Sequence, residues 1–495
     1  VQPGKKGAAF VAALFLSTSA WALDRAQVEK LASEDNDDKI AAIAALVAEG
    51  DPKAADVLRQ AAEGEITIDG KKVEVVMNNR VRGRIAEALS VLKLLSPNSG
   101  ERLEAAKALA GGADAAMLPL VLRAKEKESD PEIKALLEMT AAGMQLKSED
   151  RAERLAAVRM LGSSNNKTLL LDAASDADEE IRLEAQKGLR AAEARLTWGE
   201  WLGLAFAGAS LGSILLLAAL GLAITYGLMG VINMAHGELI MIGAYTTYVV
   251  QNFFRGSFFD WYLLAAIPAA FIVSGLVGMA LERSVIRWLY GRPLETLLAT
   301  WGISLMLIQA VRTLFGAQNV QVENPSFMSG GIQVLSNVVL PWNRVFILLF
   351  AVSVLIGMWL LLSRTRLGLY IRGVTQNRSM AACVGVPTAR VDTWAFGLGS
   401  GIAGLAGCAL SQVGNVGPDL GQGYIVDSFL VVVFGGVGQL AGTVYAALTL
   451  GFANKLLESW SGAVLAKIAV LVFIIIFIQR RPQGLFALKG RAVEA

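Results

Sequence analysis

The chain is poor in the residues that carry most protein chemistry: its 495 residues include one histidine, His236, and two cysteines, Cys383 and Cys408. A structural zinc site or an iron–sulfur cluster draws on several such ligands, so no metal site of that kind is expected. A disulfide between the two thiols is not expected either, because Cys383 falls in a basic loop that charge bias assigns to the reducing side of a membrane. Charge is sparse. Only 18% of residues are Asp, Glu, Lys or Arg, and 45 basic against 43 acidic residues leave a net charge of +2. That balance carries no footprint of nucleic-acid binding. The sequence has no G-x-x-x-x-G-K-[ST], hence no phosphate loop for ATP. No nucleophile and base pair stands out, and an enzyme is not expected.

The abundant residues point elsewhere. Hydrophobic residues make up 54% of the chain and glycines number 50, above the average glycine usage of about 7%. Such a composition is that of a membrane protein. At the N-terminus, Lys5 and Lys6 precede an apolar run from Gly7 to Leu16 and an Ala20-Trp21-Ala22 cleavage pattern. The run is too short to span a bilayer. It reads as a signal peptide over 1–22, which would export the domain behind it.

Residues 23–197 carry most of the charge. DDKIAAIAALVAEG, ERLEAAKALAGG, DPEIKALLEMTAAG, ERLAAVRMLGS and EEIRLEAQKGLRAAE each place Ala, Leu, Ile or Val at three- and four-residue steps beside charged residues, the pattern of amphipathic helices. Ser129-Asp130-Pro131-Glu132 and Asp176-Ala177-Asp178-Glu179 suit helix starts. Irregularly repeated, these units resemble HEAT-type repeats, which stack because no single pair buries its face alone. GEITIDGKKVEVV, around Asp69-Gly70, reads as an inserted β-hairpin.

From Trp198 to residue 495 the texture changes to apolar segments near 203–227, 237–253, 262–281, 296–316, 345–362, 394–412, 426–437, 440–457 and 464–479. Each is long enough, or nearly so, for a core needing about 20 helical residues. Those near 426–437 and 440–457 are short and flank GGVGQLAG, so a broken helix is expected there. The fold class is therefore all-α: a polytopic permease-like bundle preceded by a soluble helical-repeat domain. ERSVIRWLYGRP (282–293) holds three arginines and the stretch 363–390 five, while Ala317 to Asn343 has no Lys or Arg. The positive-inside rule puts the first two in the cytoplasm. Nine crossings from an exported domain bring Arg480-Arg481, Lys489 and Arg491 to that side too.

NMAHGELIMIGAY (233–245) places Asn233, His236 and Glu238 inside the apolar region, where an ionised group costs on the order of 2.5–3.5 kcal/mol at mid-bilayer. Gly230 and Gly237 are expected to interrupt the helix around them. Three accounts stand side by side: the polar residues line a solute path, cap a broken helix, or sit near the cytoplasmic surface. GLGSGIAGLAG (397–407) contains a G-x-G-x-x-G at Gly399, Gly401 and Gly404, but no strand precedes it, so close helix packing is expected rather than dinucleotide binding. YIRGVTQNRSMAACVGVPTAR reads as a short amphipathic helix, with Val374, Met380, Ala381 and Val384 as apolar contacts and Gly385 and Pro387 as its stop.

Four of these motifs carry a resemblance. The order Arg372, Gln376-Asn377, Ala381-Ala382, Gly385-Val386 resembles the cytoplasmic loop of ABC-importer permeases of the branched-chain amino-acid type. NMAHGELIMIGAY is similar to their Asn-x-Ala-His-Gly-Glu segment, FGGVGQLAGTVYAALTLG (434–451) to their glycine-rich signature, and RRPQGLF (480–486) to their closing motif. The resemblance covers Leu204 to about Gly490. Within the family, the helical domain and the stretches YGRPLETLLATWGISLMLIQ and NVQVENPSFMSGG look most like urea-importer permeases. The resemblance implies a pore formed with a second permease subunit, two cytosolic ABC ATPase subunits and an extracytoplasmic substrate-binding protein. It implies no cofactor in this chain, ATP being used by the partner subunits. Arg372, Gln376, Asn377, Ala381, Gly385 and Val386 would form the segment that docks in the ATPase, and Asn233, His236 and Glu238 would be candidates for the urea path. Branched-chain amino acids or short amides are alternative substrates. A passive small-solute channel would have no use for the docking segment, and a membrane-anchored adaptor would need only one span.

Overall fold

The computed structural model describes residues 25–486 apart from 34, 50–51, 69–70, 76–77, 111–116, 257 and 336. The leader at 1–22, the hairpin turn Asp69-Gly70, and Lys489 and Arg491 lie outside the described residues. The chain divides into two compact units, Val1–Leu196 and Thr197–Ala495.

In the first unit the helices are α1 (Arg25–Lys30), α2 (Asn36–Glu49), α3 (Pro52–Glu63), α4 (Asn79–Leu92), α5 (Ser99–Ala110), α6 (Leu118–Lys127), α7 (Pro131–Gln145), α8 (Arg151–Gly162) and α9 (Lys167–Ala173). Between α3 and α4 lies the hairpin of β1 (Glu65–Ile68) and β2 (Lys71–Glu74), antiparallel with Ile66 opposite Val73. A repeated polar device sets the helix starts. The hydroxyls of Ser33, Ser96 and Ser148 accept the N–H two residues on, from Asp35, Asn98 and Asp150, at 3.2 Å each. Ser96 and Ser148 also donate to Glu101 (2.7 Å) and Glu153 (2.6 Å). The next residue, Arg102 or Arg154, donates to the two carbonyls at the head of its own motif and reaches across to Glu128 (2.8 Å) or Asp176 (3.1 Å). The motif is thus S-x-x-x-x-E-R-L, at Ser96 and again at Ser148. Each arginine ties the entry of one helix to the acidic loop before a later one. Asp130 caps α7 by accepting from Glu132 N at 2.9 Å, with Pro131 in the first turn, which satisfies an otherwise free N–H.

The helix α10 (Glu179–Met229) begins within the charged region of the first unit and continues past Trp198 into the second. Then come α11 (His236–Phe254), α12 (Tyr262–Ser284) and α13 (Pro293–Phe315), and a hairpin of β3 (Gly331–Leu335) and β4 (Val338–Pro341). The chain continues as α14 (Trp342–Arg364), α15 (Arg366–Gln376), α16 (Arg378–Cys383), α17 (Thr388–Ser411), α18 (Leu420–Gly435), α19 (Leu440–Ser461) and α20 (Ala463–Arg480). Among the described residues seven helices are long and apolar enough to cross a membrane. Nine crossings were expected. All nine apolar segments are helical, but α11 carries Glu238 and other polar residues, and α18 has only 16 residues. The segment at 440–457 is not short: α19 has 22 residues. The expected break between α18 and α19 is present, at Gly436 (φ 104°) and Gly438 (φ 83°), left-handed conformations that favour glycine.

The bundle is built around α11, α12 and α17, where glycine lets backbones touch. A Cβ on Gly404 would stand 2.5 Å from Ser274 Oγ and one on Gly401 2.7 Å from the Phe271 ring. The G-x-G-x-x-G stretch is packing, as small residues at membrane-helix interfaces commonly are.

The loops sort to two ends. At one end, Ser326 N and Oγ donate to Asp260 (2.7 and 2.8 Å), Tyr262 donates to the Glu323 carbonyl (2.7 Å), and Val320 pairs with Val416. At the other, the arginine-rich stretches 282–293 and 363–390 meet each other through Arg378 and Tyr290. The stretch 480–486 meets the 435–442 break there as well, with Leu485 N and Phe486 N donating to the Phe434 and Gly435 carbonyls.

Candidate functional site

Two places assemble the polar residues singled out by the sequence. The first is the junction of α10 and α11. The helix stops at Met229 because Gly230 turns left-handed (φ 68°), and residues 230–235 run as non-helical chain before α11 starts at His236. Gly237 does not break the helix. It lies in the first turn of α11, where a Cβ would be 2.5 Å from the Gly421 carbonyl oxygen.

Each of the three polar residues has its own task there. Asn233 Oδ1 accepts from Ala235 N (3.0 Å) and holds the turn into α11. His236, fully buried, has Nε2 3.0 Å from the Ala218 carbonyl oxygen. A carbonyl accepts only, so Nε2–H donates and fastens α11 to α10. Glu238, 1% exposed, accepts from Ser304 Oγ at 2.8 Å. Beside it Ser274 Oγ donates to the Leu239 carbonyl (3.1 Å) and Thr300 Oγ1 accepts from Met234 N (3.1 Å). Ser304 and Ser274 lie near the middle of the 23-residue helices α13 and α12. Glu238 therefore lies at mid-depth of the bundle, whereas the chain leading to it starts beside the basic end, where Met229 lines a cleft with Arg378 and Asp392. Asn233 Nδ2, His236 Nδ1 and Glu238 Oε2 are buried without a hydrogen-bond partner.

The second place is the basic end. Instead of the one amphipathic helix expected, the chain forms α15 and α16 with a break at Asn377 (φ −156°, ψ 101°), whose side chain caps α16 by accepting from Met380 N (2.9 Å). Asn377 prefers this local bond to helix continuation. Gln376 ends α15, and Gly385 (φ 88°) ends the segment, with Val386 N bonded to the Ala381 carbonyl (3.0 Å). Arg372 Nη1 donates to the Leu362 carbonyl at 2.5 Å and lines a cleft of about 290 Å³ with Trp359, Gln439 and Leu440. Of the expected apolar contacts, Val374 and Ala381 face inward, but Met380 and Val384 are 62% and 74% exposed.

Sequence reading missed what holds this segment. Arg378 pairs with Asp392 of α17, and its guanidinium lies 4.7 Å from the Tyr290 ring centroid. Tyr290 donates to Glu282 Oε1 (3.3 Å), and Thr393 donates to Glu282 Oε2 (2.7 Å). Asp392 and Glu282 are both 2% exposed. One cation thus links α16 to α12 and α17. The signal available was weak: two acids and an arginine, 110 residues apart at the extremes, that only the fold brings together.

Comparisons with known proteins bear on the whole bundle. A family described as "Branched-chain amino acid transport system / permease component" matches residues 204–479. The chain is 28% identical over 287 residues to the high-affinity branched-chain amino acid transport system permease protein BraD of Pseudomonas aeruginosa, covering 56% of this chain and 93% of that one. It is 27% identical over 297 residues to the corresponding permease LivH of Escherichia coli K12 (57% and 93%) and 26% identical over 289 residues to a probable LivH of Methanocaldococcus jannaschii (55% and 88%). No solved structure matches. With more than half of its length matched, this chain belongs to the branched-chain amino acid transport system permease family and is a permease component of an ABC transporter.

Proposed function

We propose that this chain is the membrane subunit of an ATP-driven importer for urea, working beside a second permease, two ATPases in the cytoplasm and a binding protein on the other side. The observation that carries the importer reading is the α15–α16 segment: an exposed apolar pair, Met380 and Val384, on a short capped helix whose far side is locked into the bundle by Arg378. A channel gains nothing from such a handle. An importer without its own phosphate loop needs one, because nucleotide-driven closure of a partner must reach the path as rocking of the helices.

The positive-inside rule supports placing this basic end in the cytoplasm and the helical-repeat domain, spanning about 23–197, outside. The repeated Ser–Glu–Arg device supports a HEAT-like stack for that domain. At the α10–α11 junction, Asn233 and His236 serve the architecture, and Glu238 is the member whose free oxygen suits a solute N–H. Urea rests on the resemblance of residues 290–309 and 319–331. A second reading, a branched-chain amino acid as cargo, is favoured by what the relatives are named for.

Uptake of labelled urea and labelled leucine at low concentration, in cells lacking the chain and with it restored, tests both. Restored urea uptake supports the proposal; restored leucine uptake keeps the importer and changes the cargo; restoration of neither overturns it.

A further inference from the structure

α13 sits in the bundle on a narrow polar stripe. Its buried residues include Thr296, Thr300 and Ser304, spaced four apart on one face, while Leu298, Trp301 and Leu305 are exposed. Thr296 and Thr300 satisfy their hydroxyls on the Arg292 and Thr296 carbonyls (2.8 Å each), and Ser304 turns its own to Glu238 across the seam. Across the seam stands α11 with Glu238 and Tyr245, seven residues apart and so on one face. Tyr245 is 2% exposed and its hydroxyl is buried without a partner, as is Glu238 Oε2. A buried polar atom left unpaired is costly. Two of them aimed along one seam mark a place where another molecule supplies the bonds.

The seam is closed at one end. The Tyr245 and Phe315 rings are 4.8 Å apart, and Arg312 Nη2 donates to Asp419 Oδ1 at 2.7 Å, tying α13 to the start of α18. This same start reaches α11, since Gly421 abuts Gly237.

We infer that the α11–α13 seam is a solute site, with Glu238 Oε2 accepting from solute N–H groups, Tyr245 donating to a solute carbonyl, and the Arg312–Asp419 pair with Phe315 forming its gate. The inference rests on the importer reading and adds the second wall of the solute site, Tyr245, and its gate. A small uncharged molecule with several N–H donors and one carbonyl, a urea or primary amide, matches one carboxylate and one phenol. An amino-acid zwitterion would also have to draw Arg312 away from Asp419 to pair its carboxylate. Ser304 positions the carboxylate of Glu238, and α13 is the wall that moves.

The test is cysteine accessibility in membranes holding the complete importer. Ile308→Cys, one turn beyond Ser304 on the buried face of α13, is treated with a charged, water-soluble methanethiosulfonate reagent with and without ATP, and modification at position 308 is read by peptide mass spectrometry. Ile303→Cys repeats the test at a second buried position of α13, should the first variant fail to assemble. The expected result is modification during ATP turnover that is lost when urea or acetamide is added and unaffected by leucine. No modification in any nucleotide condition, while labelled urea still enters, overturns the seam and leaves the importer intact. Protection by leucine overturns the solute class, and failure of the unmodified chain to import any of these solutes removes the importer reading beneath it.

Discussion

At the scale of single residues, glycine and the rare buried charge decide most. Gly407 lies against the Ile240 carbonyl and Ala244 N, and its Cβ would be 2.7 Å from the latter. Because both neighbours are backbone, neither can move aside as a side chain would. Gly407→Val therefore overpacks a site without slack, at a cost of about 3 kcal/mol or more, and is expected to abolish accumulation in the membrane, checked by quantitative blotting beside Gly423→Val, where the space is open. In the first unit, the Arg102 guanidinium holds the Glu128 carboxyl below its ordinary value of 4.5. A depressed acid stabilises the fold above its unfolded pKa, and that contribution disappears as pH falls through the lowered value. Hydrogen exchange of α5 and α7 amides is accordingly expected to rise as pH drops below about 4.5, after correction for intrinsic rates. Glu128→Gln flattens that dependence; an unchanged profile would mean that the pair does not stabilise the unit. Glu238 was visible in the sequence because it broke an apolar run. Ser304 was invisible, because a serine in a membrane helix is ordinary until its partner is known.

At the scale of elements, the α15–α16 segment is braced from behind by the Arg378–Asp392 pair. Removing Arg378 leaves Asp392 buried without a counter-charge, a loss on the order of 2–3 kcal/mol, discounted from the fully buried case because Arg378 is about half exposed. Arg378→Ala is expected to lower uptake severalfold more than it lowers ATP hydrolysis, and Asp392→Asn in that background to recover part of the loss. Additive effects in this double-mutant cycle would deny the link. Helix existence was legible throughout because apolar periodicity and caps such as Ser129-Asp130-Pro131 act locally. The split at Asn377 was not, since one capping hydrogen bond outweighs a continuing amphipathic pattern. The Ser–Glu–Arg repeat was present in the sequence at Ser96 and Ser148, yet its meaning lies in Glu128 and Asp176, which only the stacked helices bring near. Nor did the change of composition at Trp198 end a helix, because both textures favour the same backbone.

At the scale of the whole molecule, the bundle brings the arginine-rich stretches 282–293 and 363–390 together at one end and hides Glu238 at mid-depth behind α13. It places two apolar side chains, Met380 and Val384, in the open beside the arginines. Under the proposed function, these features serve an importer subunit driven by its partners. The most direct measurement is ATP-dependent solute uptake into vesicles that hold the assembled complex, comparing the unaltered chain with Met380→Asp/Val384→Asp. If the exposed pair is the ATPase handle, the altered chain stays in the membrane, fails to retain the ATPases, and loses ATP-dependent uptake. Undiminished ATP-driven uptake with both positions charged, or equal uptake with and without ATP in the unaltered chain, would contradict it.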